Sequence, residues 1–323
     1  MDFVLTLDNG YCQHAAVVMA SICLNNIGKH RFYIISDYIN YLNKRNFSSL
    51  SDLLKCDINF IFIEKEKFDD FPIGNKTANN YVTLATYYRL LLVDLLPKDL
   101  ERIIYLDCDI VVNGSLDSLW NWRFSENAMI AALEDQKGMM ERCVILGFPV
   151  KYSYFNAGVI LFDLKKVRAI YSIQDVLAYI RNNYSKIKFH DQDILNVFFY
   201  DKKDFISLRF NVMDTFLKRQ KSLPARYEKE YADLYNPVIV HYSGPIKPWF
   251  VECNHPYKVL YYYYLSKTPW SDYVPKSRYD NIVLRLLYRL KYWIKEALSI
   301  IVGKSERYKK EFYQIYTCCN LTK

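Results

Sequence analysis

Short apolar blocks alternate with amphipathic segments along the first 112 residues of the chain. Runs rich in β-branched and aromatic residues predict strands, and apolar residues three or four positions apart predict helices. The predicted strands are FVLTL (3–7), RFYIIS (31–36), INFIFIE (58–64) and RIIYLDCDIVV (102–112), and the predicted helices are HAAVVMASICLNN (14–26), FSSLSDLLKC (47–56) and LATYYRLLLVDLLP (84–97). Strands that alternate with helices predict an α/β fold with parallel strands.

The second half of the chain is less regular. It predicts a strand over YFNAGVILFDL (154–164), helices over SIQDVLAYIRNNY (172–184) and DQDILNVFFY (191–200), and a strand that runs into a turn over PVIVHYSGPIKPW (237–249). Asp191 is placed to cap the second of these helices. Because no repeat or linker interrupts residues 1–265, we predict one domain there and a separate C-terminal region over 266–323.

Composition narrows the class of protein. The chain has 323 residues, of which 51% are hydrophobic and 24% charged, as in a folded globular protein. Its eight cysteines form no CxxC pair and no zinc-ligand spacing, which favours reduced thiols. The start, MDFVLTLDNGY, has no basic region of the kind that opens a signal peptide. We therefore expect a cytoplasmic protein.

The net charge of +8 is concentrated near the C-terminus, because residues 275–310 contain ten Lys or Arg and three Asp or Glu. The nearly neutral remainder argues against a general nucleic-acid-binding protein. Residues 282–301 have an apolar stripe at helical spacing, too interrupted by charge to span a membrane. The stripe consists of Val283, Leu286, Leu287, Leu290, Ile294, Ala297 and Ile301, with Trp293 at its edge.

This amphipathic helical tail has two interpretations. It either packs on the main domain or lies in the interface of an anionic leaflet. We expect the second, because the tail holds most of the net charge and because Tyr288, Tyr292 and Trp293 suit a membrane interface. The protein would then attach peripherally to the inner face of the cell membrane.

Asp107 and Asp109 stand at the end of the apolar run over 102–112. Along a strand, residues two apart point to the same side, so both carboxylates can face one cation while Cys108 faces away. The alternatives are a solvated strand end or a helix-capping acid. Because ligands gather at the carboxyl ends of parallel strands, Asp8 is expected to share the same crevice.

Six motifs occur in a fixed order: LDNGY, LATYYRL, RIIYLDCDIVVNGSLDSLW, YFNAGVILFDL, HDQDILN and HYSGPIKPW. Together they resemble the family 8 glycosyltransferases, which are retaining enzymes with a GT-A fold, over about residues 2–265. The bacterial galactosyl- and glucosyltransferases that build lipo-oligosaccharide or lipopolysaccharide are the most similar. The resemblance implies a Rossmann-like, nucleotide-sugar-binding mixed sheet flanked by helices.

The resemblance also implies a metal site. Asp107 and Asp109, with His241, would bind Mn²⁺, or Mg²⁺, against the diphosphate of a UDP-sugar. Carboxylate oxygens and an imidazole nitrogen are suitable ligands for such an ion. Lys247 and the backbone amide of Gly244 would support the same diphosphate.

Further donor contacts follow from the resemblance. Asp8 and Tyr11 would form the uridine pocket, with the carboxylate accepting a hydrogen bond and the ring stacking. Gly10 replaces the asparagine of the bacterial galactosyltransferases, so the contact is either missing or supplied by Asn9. Arg89 matches the donor-contacting arginine of the family.

The donor sugar would be held by Asn156, Asp191 and Gln192. Asp191 would accept hydrogen bonds from sugar hydroxyls, and Gln192 would lie near the anomeric carbon; these two are the candidate catalytic residues. Asp193 fits a structural role at a helix start. Either Glu134 or Asp135 would meet the sugar or the acceptor.

We therefore predict a retaining hexosyltransferase that uses a UDP-sugar, with galactose favoured over glucose, and a glycan or glycolipid acceptor. We expect front-face attack, in which the departing β-phosphate oxygen takes the proton of the acceptor hydroxyl. The alternatives are a catalytically silent nucleotide-sugar-binding protein of the same fold and a nucleotidyltransferase. A glycine-rich phosphate loop, which would favour the last alternative, is missing from the sequence.

Overall fold

The computed structural model describes residues 1–64, 84–279, 281–287, 290 and 294. Strands in these residues form two sheets. They are β1 Asp2–Thr6, β2 Arg31–Ser36, β3 Asp57–Phe62, β4 Arg102–Leu106, β5 Ile110–Val112, β6 Ile130–Glu134, β7 Phe155–Asp163, β8 Lys203–Phe205, β9 Val212–Met213 and β10 Ile239–His241.

The α-helices of the described chain are α1 Cys12–Asn25, α2 Tyr41–Leu54, α3 Leu92–Leu95, α4 Asp117–Trp120, α5 Met140–Leu146, α6 Leu164–Ile170, α7 Ile173–Asn183, α8 His190–Phe199, α9 Asp214–Lys218 and α10 Lys258–Leu265. Short 3₁₀ helices lie at Asn9–Tyr11, Leu84–Leu91, Val150–Tyr152, Tyr184–Lys186, Leu208–Phe210, Gln220–Ser222 and Ala225–Leu234. The segment 84–97, predicted as one α-helix, is thus mainly 3₁₀. Tyr87, Tyr88 and Arg89 are all buried, so packing rather than an amphipathic period sets its conformation.

The larger sheet has the strand order β3-β2-β1-β4-β7-β6-β8. Strands β3, β2, β1 and β4 are parallel, and β7 is antiparallel to both β4 and β6. Successive residues of β1 are buried on opposite faces, since Phe3 and Leu5 join one core cluster and Val4 joins another. The sheet is therefore covered on both faces, and it has the α/β character that the sequence predicts.

The smaller sheet has the order β5-β10-β9, with β10 antiparallel to β5 and parallel to β9. It corrects the prediction of one strand over 102–112. The chain leaves the larger sheet at Asp107, whose N–H donates to Gly158 O at 2.9 Å, and joins the smaller sheet near Asp109, whose carbonyl accepts from Tyr242 N–H at 2.9 Å. The change of partner strand ends β4 and begins β5.

The part of the C-terminal region that is described begins on the main body. Trp270 and Tyr273 pack against the larger core cluster. Residues 282–287 are helical. Their apolar side chains, together with two further ones, are exposed: Ile282, Val283, Leu284, Leu286, Leu287, Leu290 and Ile294. Tyr288, Tyr292, Trp293, Ala297 and Ile301 lie outside the described residues, and the division at residue 265 stays a prediction.

None of the helices in the described part of the chain has both the length and the apolar character that crossing a bilayer requires.

Candidate active site

An open cleft of about 550 Å³, including its mouth, lies at the carboxyl ends of β1 and β4. Parallel strands end at one edge of a sheet, which is where such folds bind ligands. The lining residues are Thr6, Leu7, Asp8, Tyr11, Ala85, Thr86, Arg89, Tyr105, Asp107, Cys108 and Asp109. The cleft therefore brings together five residues that the sequence singled out from three separate motifs: Asp8, Tyr11, Arg89, Asp107 and Asp109.

Asp107, Asp109 and His241 form a cluster that can hold a metal ion. One ligand atom from each lies within 4.8 Å of the others. His241 Nε2 is 3.3 Å from Asp109 Oδ1 and 3.8 Å from Asp107 Oδ2. Asp109 Oδ1 is buried and faces the His241 Nε2 atom, so both atoms are available to a cation that lies between them. The acids converge because they flank a turn, not because they alternate along a strand as predicted.

Gly158 allows the cluster to close. A Cβ at this position would lie 2.3 Å from His241 Cε1 and 3.0 Å from Asp107 Oδ2. Carbon atoms cannot approach so closely, so β7 passes under the cluster only because this residue is glycine. The role of Gly158 could not be predicted from the sequence, although this residue stands in the motif that contains Asn156.

Asn211 orients the imidazole of His241. The two residues are joined by a 2.9 Å hydrogen bond between His241 Nδ1 and Asn211 Oδ1, in which the imidazole N–H donates to the carboxamide oxygen. This leaves the Nε2 lone pair facing the two acids, as a metal ligand requires. Asn211 in turn donates through Nδ2 to Asn156 Oδ1 at 2.9 Å. Sequence reasoning missed Asn211, because it belongs to none of the six motifs.

The charge of Asp109 is balanced by Lys247. Lys247 Nζ donates to Asp109 Oδ2 at 2.5 Å and to Tyr242 O at 2.7 Å. Burial alone would raise the pKa of Asp109, but Lys247 and His241 hold it well below its usual range. For His241 the directions are reversed: burial alone would lower its pKa, but the facing carboxylates raise this pKa above its usual value.

Arg89 links the metal cluster to the segment predicted to hold the sugar. Its Nη2 donates to Asp107 Oδ1 at 2.7 Å, and its Nε lies 2.6 Å from Asp191 Oδ2. The Tyr105 hydroxyl donates to the same Asp107 oxygen at 2.7 Å, and the Tyr105 ring lies 4.3 Å from the guanidinium carbon. Burial raises the pKa of the Asp191 carboxyl to about 7 in spite of Arg89.

Gln192 and Asn156 belong to one hydrogen-bond network. Gln192 Oε1 accepts from Ala157 N–H at 2.9 Å and from Asn156 Nδ2 at 3.2 Å, while its Nε2 donates to Asp135 Oδ2 at 3.0 Å. The network places Asp135 beside the residues predicted to hold the sugar. Glu134 instead pairs with Arg226 at 2.9 Å, so the geometry favours Asp135 of the two candidates.

Asp193 is completely buried and structural. Its Oδ2 accepts the backbone N–H of Lys188 and of Phe189, both at 2.7 Å, and its Oδ1 accepts the Tyr154 hydroxyl at 2.7 Å. Asp193 therefore satisfies backbone groups of the segment that leads into α8. The prediction that Asp191 caps this helix is wrong, because α8 begins one residue earlier, at His190, with Phe189 at the N-cap position.

Of the remaining predicted residues, Asp8 lines the cleft, whereas Asn9 and Gly244 are not among its lining residues. Asp8 Oδ1 accepts from Gly10 N–H at 2.8 Å. The side-chain oxygen of Asn9 accepts from Asn40 N–H at 2.9 Å and so faces the start of α2. Gly244 lies against the carboxylate of Asp214 and not against Asp107 or Asp109, since a Cβ at Gly244 would be 2.2 Å from Asp214 Oδ2.

Comparison with known proteins agrees with this geometry. Residues 2–253 match the sequence profile of glycosyl transferase family 8, and the chain belongs to this family. It is a hexosyltransferase. A lipopolysaccharide 1,2-glucosyltransferase of Escherichia coli K12 is 27% identical over 88% of this chain and 82% of its own length. A lipopolysaccharide 1,3-galactosyltransferase of Salmonella typhimurium is 29% identical over 82% of this chain and 77% of its own.

Solved structures share the fold. The galactosyltransferase LgtC, in complex with donor and acceptor sugar analogues, is similar with a TM-score of 0.72 and 26% identity, over 85% of this chain and 98% of that one.

Proposed function

We propose that this protein transfers a hexose, galactose in preference to glucose, from a UDP-sugar to a glycan acceptor with retention of configuration. The acceptor class we infer is a bacterial surface glycan such as lipo-oligosaccharide or lipopolysaccharide, as the names of its relatives suggest. The observation that carries the proposal is the cluster of Asp107, Asp109 and His241 at the edge of the cleft.

The cluster and its cationic neighbours suit a metal-bound diphosphate. Asp107, Asp109 and His241 would hold Mn²⁺, or Mg²⁺, which would supply positive charge to the diphosphate as UDP leaves. Lys247 and the Gly244 amide would bind the same diphosphate, with a point charge and a backbone N–H. Asp8 and Tyr11 would bind the uridine in the part of the cleft next to β1.

The sugar would lie towards α8. Asp191 would accept hydrogen bonds from hydroxyls, while the Gln192 carboxamide, which is hydrogen-bonded to Ala157 and Asp135, would lie beside the reacting carbon. Asp191 is engaged by Arg89, and an amide is a weak nucleophile, so neither residue favours a covalent intermediate. We infer front-face attack, with the departing β-phosphate oxygen of UDP taking the proton of the acceptor hydroxyl.

The C-terminal region would bring the enzyme to its acceptor. Exposed apolar side chains at 282–287 lie beside Arg285, a combination that suits an anionic membrane surface. We therefore propose peripheral attachment at the cytoplasmic face, where glycolipid acceptors are available. Deletion of residues 282–323 is expected to move the protein from the membrane to the soluble fraction, and unchanged fractionation would contradict this part.

A panel of UDP-sugars with Mn²⁺ tests the function directly. We expect UDP release with UDP-galactose, or next with UDP-glucose, and faster release when lipo-oligosaccharide is added. Asp107→Asn is expected to abolish release, whereas Asp117→Asn, an exposed acid of α4, serves as the matched control. Binding of UDP-sugars without turnover would favour the alternative, a catalytically silent nucleotide-sugar-binding protein.

A further inference from the structure

Residues 267–279, here called the strap, lie against the turn that carries Gly244 and Lys247. Val251 N–H donates to Lys276 O at 3.0 Å, and Phe250 and Lys276 form a parallel β-bridge. The strap therefore pairs with the backbone that directly follows the turn, although the two segments are separated along the chain.

The side chain of Arg278 reaches the turn itself. Arg278 Nη1 donates to Pro245 O at 3.0 Å, and Pro245 stands between Gly244 and Lys247. Glu252 holds Arg278 in place, because its carboxylate accepts the Arg278 backbone N–H at 3.0 Å and the Ser277 hydroxyl. Glu252 therefore fixes the backbone of Arg278, and the guanidinium ties the Pro245 carbonyl to this fixed segment.

The strap also supports the uridine side of the cleft. The Tyr273 hydroxyl donates to Trp249 O at 3.2 Å. The Trp249 ring stacks on His14 with centroids 3.6 Å apart and meets the Tyr11 ring edge-on at 5.9 Å. The strap is therefore hydrogen-bonded to the residue whose ring contacts Tyr11, and Tyr11 is the ring predicted to stack on the base.

A third contact lies further back along the strap. Trp270 Nε1 donates to Asn43 Oδ1 at 3.3 Å, and its ring packs on Phe47 with centroids 5.1 Å apart. Asn43 in turn donates to Asn9 Oδ1 at 3.0 Å. The strap thus contacts α2 as well as Trp249 and the turn.

The hydrogen bond from Arg278 to Pro245 is expected to contribute little to the stability of the fold. The bond to Pro245 is exposed, where a single hydrogen bond contributes little to folding. Its geometric effect is on the turn, because it ties the Pro245 carbonyl to the strap. A phosphate-binding turn that is already ordered loses less entropy when the ligand binds.

We propose that Arg278, at the end of the strap and with its backbone held by Glu252, is a positioning residue for the turn that would bind the diphosphate. The proposal rests on the proposed function, because it takes the ligand to be a UDP-sugar. It assigns a role in donor binding to a segment that the sequence placed in a separate C-terminal region.

The test compares Arg278→Met with Lys276→Met in the full-length protein. Both substitutions remove one positive charge from the strap, but the exposed Lys276 side chain is not part of the contacts described above. We expect Arg278→Met to weaken UDP binding with Mn²⁺ about fivefold by calorimetry, and to raise the KM for the UDP-hexose to a similar extent. The kcat, the KM for the acceptor and inhibition by uridine, which has no phosphate, are expected to stay within about twofold of wild type.

A conservative variant separates positioning from folding. Arg278→Lys keeps one donor and is expected to recover UDP affinity to within about twofold of wild type. The proposal is overturned if Arg278→Met binds UDP as tightly as Lys276→Met does. It is also overturned if affinities for UDP and uridine fall together with the melting temperature. Failure of the wild-type protein to bind UDP at all would instead overturn the proposed function.

Discussion

Arg89 Nε lies 2.6 Å from Asp191 Oδ2, and this ion pair is almost completely buried. The same guanidinium donates to Asp107. One cation therefore lies between two carboxylates that belong to different parts of the site, the metal cluster and the start of α8. The cleft is assembled around this residue.

Removing the cation is expected to destabilise the protein. Arg89→Met leaves Asp107 and Asp191 facing each other without a counter-charge, at a cost of about 3 kcal/mol at pH 8. Because burial raises the pKa of Asp191 to about 7, this carboxyl is protonated at pH 5 and the loss is expected to be smaller there. Urea denaturation at the two pH values measures the difference. Arg219→Met, at an exposed arginine, is the control, and equal losses at both pH values would contradict the account.

Gly158→Ala is expected to disrupt the cluster of Asp107, Asp109 and His241 without unfolding the sheet. The new Cβ would collide with His241, so the imidazole must move away from Asp109. We expect a loss of about 100-fold in metal-dependent UDP release. Gly114→Ala is the control, because its Cβ would meet Val238 at an ordinary 3.4 Å. Unchanged activity of Gly158→Ala would show that the histidine position is unimportant.

Asn211→Ala removes the acceptor for the His241 Nδ1–H. A metal-bound histidine that loses such a partner commonly costs 10- to 100-fold in metal affinity, and we expect a loss in this range. Manganese titration in the presence of UDP measures it, with the exposed Asn182→Ala as control. Wild-type manganese affinity in Asn211→Ala would remove this residue from the site.

The buried imidazole of His14 is expected to make the folded protein less stable in acid. Burial lowers the pKa of His14 to about 3, so between that value and about 6.5 the unfolded chain binds a proton that the native state does not. The stability from this group is complete above pH 6.5 and is lost as pH falls, by up to about 1.4 kcal/mol per pH unit. His14→Phe keeps a ring against Trp249 and is expected to flatten the dependence between pH 6.5 and 4.5. Urea denaturation across this range gives the slopes; identical slopes would contradict the prediction.

Much of the fold could be predicted because several strands are continuous apolar runs. The predicted strands over 31–36 and 154–164 correspond to β2 and β7 within a residue at each end. The division of 102–112 could not be predicted, because it depends on β4 and β5 pairing with different, distant strands. Helix α2 begins six residues earlier than the prediction, at Tyr41, where the Asn40 side chain accepts Asn43 N–H.

The site was predictable where residues stand in motifs, and not where a role arises only from packing. Gly158 matters because His241, 83 positions later, packs against it. The choice between Glu134 and Asp135 depends on an irregularity of register between Ala132 and Leu133 in β6. A β-bulge changes which residues face the cleft, and residue alternation alone cannot indicate it.

The central claim is that Asp107, Asp109 and His241 hold a divalent cation against the diphosphate of a uridine nucleotide. Calorimetric titration of UDP into the full-length protein, with and without Mn²⁺, tests it most directly. The account predicts saturable heat that requires Mn²⁺ and disappears in Asp109→Asn. Equal UDP binding by wild type and Asp109→Asn, or binding that is indifferent to Mn²⁺, would contradict it.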